Sequence, residues 1–145
     1  MNYKKLDDLP YDSEFKSYLA KLELAIVEDY DGFQSGSLKA NPSRAQYYAE
    51  RLGTFADSLC YAPGRNYLKI VTVDDNRSGA SVWGFINLKN KKFKEGDILK
   101  ANGWATPALN KARGNIFDDE YRVHWTGPGY LSGYSAGGKR NGGVL

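Results

Sequence analysis

Phe15, Leu19, Leu22 and Ile26 recur at intervals of four, three and four residues, with Lys16, Lys21 and Glu23 on the opposite side. That spacing is the apolar stripe of an amphipathic helix, predicted over 13–27 with Tyr18 and Ala25 flanking the stripe. Pro10 and Asp12 mark its approach. Residues 28–40 hold Gly32, Gly36 and several Ser and Asp, a composition that predicts a loop. Asn41-Pro42 then reads as a second helix start: Asn caps free backbone N–H groups, and Pro at the first helical position loses no needed hydrogen bond. Ala45, Tyr48, Ala49, Leu52, Phe55, Ala56 and Leu59 continue at helical spacing, so the second helix is placed over 42–59.

Beyond Pro63-Gly64 the period changes. Residues 67–73 and 80–88 are rich in β-branched and aromatic side chains and are separated by a turn cluster at 74–79. A Lys-rich turn at 89–96 leads to a shorter third strand at 97–101. Short links between successive strands favour an antiparallel meander. Helices first and strands after predict an α+β domain: two N-terminal helices packed on a small antiparallel meander. The domain is expected over 1–126, helical over 13–59 and β over 66–126, with one more short strand at 121–125. Glycine recurs from Gly127 onward, which predicts an extended Gly-rich tail over 127–145.

At 145 residues the chain is long enough for one domain with a sizeable core. Its formal charge is +3, but the charge is unevenly spread. Residues 1–31 carry four Lys against eight Asp or Glu, whereas residues 65–115 carry ten Lys or Arg against four Asp or Glu. A basic middle suits an anionic partner, although scattered solvated lysines would give the same balance. Cys60 is the single cysteine, so no intrachain disulfide is expected, in keeping with a reducing compartment. The first residues lack the apolar core of a signal peptide, and no apolar run is long enough to span a membrane. These features predict a soluble, intracellular protein with no membrane partner.

The densest chemistry lies at 104–117. Trp104, Pro107, Lys111, Arg113, Asn115 and the Ile116-Phe117 pair share this stretch, with Lys100 just before it. Cations for phosphate, an aromatic for stacking and an Asn for base edges are what a nucleic acid or nucleotide requires. The candidate ligand-binding set is Lys100, Trp104, Lys111, Arg113 and Asn115, extended by Lys89, Lys91 and Lys92 of the basic turn. The plainer reading has Trp104 and Pro107 packed on the sheet, Ile116 and Phe117 in the core and Asn115 in a turn.

The order Asn66-Tyr-Leu-Lys-Ile-Val71, an Arg77-Ser78 turn, then Lys100-Ala-x-x-Trp104-x-x-Pro107-Ala108 and a closing Arg113-Gly-Asn-Ile116 resembles a family of small bacteriophage proteins, cyanophage ones included. The spacing from Pro-Ala to Arg is one residue longer than that family's usual pattern, which places an insertion within 109–112. The resemblance spans 66–117 and implies a viral origin and a host-cell cytoplasm, with a virion as the other location. It implies no activity.

Other motifs are weaker. His124 is the only histidine; a polar residue on a short strand is the expected role. A Cys60–His124 nucleophilic pair is formally available, but Cys60 follows the apolar helix face and is expected to be a small buried thiol. One Cys and one His without ligand spacing do not make a zinc site. Gly133 to Lys139 matches the first part of a phosphate-binding loop, but Arg140 stands where Ser or Thr is required. Asp118-Asp119-Glu120 is expected to be a solvated acidic patch. No metal or cofactor is called for, and no enzyme is expected. The two readings left are a phage accessory protein binding nucleic acid or a nucleotide through its β half, and a host-takeover or virion protein acting through protein contacts. Oligomeric state is not readable.

Overall fold

The computed structural model describes residues 3–73, 79–118 and 121–129. Helix α1 (Ser13–Ala40) is followed by a 3-10 turn at Pro42–Arg44 and helix α2 (Ala45–Ser58). Strands β1 (Leu59–Pro63), β2 (Tyr67–Val73), β3 (Ala80–Asn87) and β4 (Ile98–Leu99) form one antiparallel sheet in chain order. This is the α+β arrangement of two helices followed by a meander. The acidic Asp119-Glu120 pair, the glycine motif at 133–139 and the tail from 130 lie outside the described residues.

Asp12 starts α1 by accepting the Phe15 N–H at 2.8 Å. The helix does not stop near residue 27 but runs to Ala40, which corrects the loop expected at 28–40. The reason is that the buried stripe of Phe15, Leu19, Leu22 and Ile26 continues through Tyr30 and Gln34. Tyr30 stacks on Phe55 of α2 with ring centroids 4.3 Å apart, and Gln34 donates to the Tyr48 carbonyl at 2.9 Å. Those contacts outweigh the cost of Gly32 and Gly36, about 1 kcal/mol each against Ala. They also show that α2 runs antiparallel to α1. Asn41 makes no side-chain cap; its N–H instead closes α1 on the Ser37 and Leu38 carbonyls.

Leu59, expected as the last residue of the second helix, opens β1 instead. Periodicity does not mark this strand, because its residues Leu-Cys-Tyr-Ala-Pro follow the apolar helical pattern without a turn signal. The third expected strand shrinks to Ile98–Leu99, while Asp97 and Ala101 make isolated bridges to Asn115 and Pro107. The strand expected at 121–125 is likewise only a His124–Gly127 bridge.

The core lies between the helices and one face of the sheet. Leu19, Leu22 and Ile26 of α1 pack with Leu59, Tyr61, Leu68, Ile70, Ile86, Ile98 and Ile116. Alternation along β2 sends Lys69, between buried Leu68 and Ile70, to the other face. The β2–β3 register slips between Ile70 and Val71: Ile70 pairs with Gly84 and Val71 with Val82. Trp83 is the extra residue of this bulge. It is buried and donates its indole N–H to the His124 carbonyl at 2.8 Å. Gly84 leaves room for the crossing chain, since a Cβ there would meet Pro128 Cγ at 2.9 Å and the Leu99 carbonyl oxygen at 3.0 Å.

Tyr61 ties the two layers together. It is 1% exposed and its hydroxyl donates to Glu23 Oε2 at 2.5 Å. Burial first, and the adjacent Glu23 carboxylate second, push its pKa well above the ordinary tyrosine value. A raised folded-state pKa gives stability that is complete below the unfolded value of 10.0 and is lost as pH rises above it. Tyr61→Phe is therefore expected to cost about 1.5–3 kcal/mol at neutral pH, the worth of a hydrogen bond to a charged group. It should also flatten the fall in stability above pH ~10 by up to ~1.4 kcal/mol per pH unit. Denaturant unfolding of both proteins across pH 7 to 11 checks this, and identical alkaline slopes would refute it.

Candidate nucleic-acid interface

The sheet face opposite the helices carries a loop over 100–113. The Ala101–Pro107 bridge closes its neck. Inside it the Asn102 N–H donates to the Thr106 carbonyl at 2.8 Å, and the Thr106 hydroxyl donates back to the Asn102 carbonyl at 3.1 Å. Gly103 takes φ +89°, a left-handed conformation that suits glycine, and so turns the chain beside Trp104. Trp104 is 40% exposed at this tip. Lys69 Nζ lies 4.2 Å from its ring centroid, a cation–π contact.

The Lys-rich turn between β3 and β4 is built around Asn87. Its buried amide donates to the Asn90 and Lys94 carbonyls, both at 3.0 Å, and its oxygen accepts the Asn90 N–H at 3.1 Å. With the backbone held from inside, Lys89, Lys91, Lys92 and Lys94 are exposed. Lys92 Nζ donates to the Leu109 carbonyl, which ties this turn to the Trp104 loop.

Two members of the expected set are engaged within the protein, Arg113 buried and Asn115 half-buried. Arg113 is 3% exposed. One of its terminal nitrogens donates to Asn110 Oδ1 at 3.2 Å and the Lys111 carbonyl at 2.5 Å, while Nε is buried without a partner. Burial disfavours its charge and lowers its pKa. Asn115 donates to the Glu95 carbonyl at 3.0 Å and Asp97 Oδ1 at 2.9 Å, and accepts the Phe117 N–H at 2.8 Å. It acts as a structural clamp, the turn role named above as the plainer reading. Lys100 and Lys111 are half-buried on the loop. The structure thus places Lys69 on the Trp104 ring and ties Lys92, which shares its turn with Lys89 and Lys91, to the same loop at Leu109. The signal for Lys69 was present as a lone cation inside an apolar strand.

The remaining candidates are dispersed. Cys60 is half-buried on β1 rather than buried at a helix end, because it alternates with the inward Leu59 and Tyr61. The His124 side chain is exposed. Among the described residues, no group of three or more His, Cys, Asp or Glu could hold a metal ion, and no helix is long and apolar enough to cross a membrane.

Residues 13–133 match the model of a family of unknown function (DUF7717), and the chain belongs to that family. The match takes in both helices as well as the sheet and the loop. No curated protein and no solved structure matches the chain.

Proposed function

We propose that this member of the family is a non-enzymatic accessory protein of a bacteriophage, acting in the host cytoplasm, that binds single-stranded nucleic acid through the Trp104 loop and the Lys-rich turn. The carrying observation is the part-exposed Trp104 held at a loop tip with Lys69 over its ring and the Lys92 turn tethered to the same loop. An aromatic platform beside a row of cations is the device by which proteins hold single strands without reading sequence. The loop presents no recognition helix for a duplex groove, which favours single strands over duplex.

Fluorescence titration with single-stranded and duplex oligonucleotides at several salt concentrations tests this. Each lysine on a phosphate of a single strand contributes about 0.7 to the salt slope, so Lys89→Ala/Lys91→Ala should lower the slope by about 1.4. Trp104→Ala should weaken binding by about 1–3 kcal/mol for the base it stacks. Binding that neither change alters, or that ignores salt, overturns the reading and favours a protein partner.

A further inference from the structure

A second site lies on the helix-covered face of the sheet, at the end away from the Lys-rich turn. A cleft of about 720 Å³ opens between α2 and the ends of β2 and β3. That is within the range of about 300–1,000 Å³ typical of small-molecule sites. Its inner wall is aromatic. Tyr30 and Phe55 stack at 4.3 Å, and Trp125 stands edge-on to them at 5.0 and 5.9 Å. Trp125 is held there by its backbone N–H, which donates to Asp29 Oδ2 at 2.8 Å. The floor carries the Thr72 and Ser81 pair of the β2–β3 ladder.

The cleft also contains a guanidinium whose partners among the described residues are neutral. Arg51 donates to the Tyr30 hydroxyl at 3.3 Å and the Tyr47 hydroxyl at 3.0 Å. No carboxylate among the described residues pairs with it, and Glu50 accepts instead from Gln46 at 3.3 Å. The hydrogen bond from Arg51 lowers the Tyr47 pKa. Arg44 lies 4.0 Å from the ring centroid of Tyr47, which lines the cleft. Two phenols fix the direction of Arg51, and among the described residues no carboxylate offsets its charge, which suits an anion.

We infer that this cleft binds a small planar aromatic anion with the chemistry of a nucleoside monophosphate. The ring lies against the Tyr30–Phe55–Trp125 wall, the phosphate meets Arg51, and Thr72 and Ser81 face the hydroxyl-bearing middle. This site is separate from the loop face and does not rest on the nucleic-acid reading. The three tryptophans make the test specific, because Trp125 lies in the cleft, Trp104 on the loop and Trp83 in the core.

The experiment is a titration of the full chain with the four common nucleoside monophosphates, read by NMR at the three indole N–H signals, with the parent nucleosides and inorganic phosphate as comparisons. The Trp125 signal should move most, with saturation by at least one nucleotide at millimolar concentration or below. The matching nucleoside should bind roughly tenfold more weakly or worse, because it lacks the charged group. Arg51→Met, which keeps the side-chain stem on an exposed helix position, should weaken the nucleotide by a similar factor. No shift at millimolar nucleotide, a response confined to Trp104, or an affinity unchanged by Arg51→Met each overturns the assignment.

Discussion

Trp83→Ala is expected to lose about 3–5 kcal/mol of folding stability, the range for deleting a large buried aromatic. Three observations make the site sensitive. Trp83 is 3% exposed within the main core, it is the extra residue of the β2–β3 bulge, and its indole N–H holds the His124 carbonyl. Loss of the ring leaves a cavity and also frees the segment that the His124–Gly127 bridge closes. Trp83→Phe should cost less, because it keeps much of the apolar volume and gives up chiefly the hydrogen bond, about 0.5–1.5 kcal/mol. Urea unfolding of the three proteins, with m-values compared, measures both. A Trp83→Ala loss below about 1 kcal/mol would mean that the bulge does not anchor the core.

The sequence shows the layers well and their ends poorly. Phe15, Leu19, Leu22 and Ile26 announce α1 because a helical stripe is local. Its last turns rest on Tyr30 meeting Phe55 and Gln34 meeting Tyr48, contacts between distant residues that override two glycines. The strand β1 was hidden for a related reason. Leu59 to Pro63 lacks any turn signal before it, so only pairing with β2 distinguishes it from one more helical turn. In the loop over 100–113 the residue types were legible and their directions were not. Arginine and asparagine suit a ligand and suit a clamp equally well, and backbone carbonyls decide between the two. The cleft was invisible in sequence, since Tyr30, Arg51 and Trp125 meet only through the helix hairpin and the chain crossing β3.

Arg113 is where the ligand and packing readings part, and Arg113→Met separates them. A buried guanidinium whose Nε lacks a partner bears a desolvation cost of about 1–3 kcal/mol for that group. Its carbonyl partners are on its own loop, at Asn110 and Lys111, so no carboxylate among these contacts offsets the charge. Met keeps most of the stem volume and removes the charge, and such replacements of buried ionic groups are neutral or stabilise by about 1–4 kcal/mol. Arg113→Met is therefore expected to unfold no earlier than the natural protein. Arg113→Ala should lie about 2–5 kcal/mol below Arg113→Met, because it also leaves a cavity. Neither change should alter the salt slope of oligonucleotide binding in the folded protein. Thermal unfolding and the titration described above, run on the same preparations, distinguish the outcomes. A Met variant that keeps its stability but lowers the salt slope by about 0.7 would show that Arg113 turns outward to meet a phosphate.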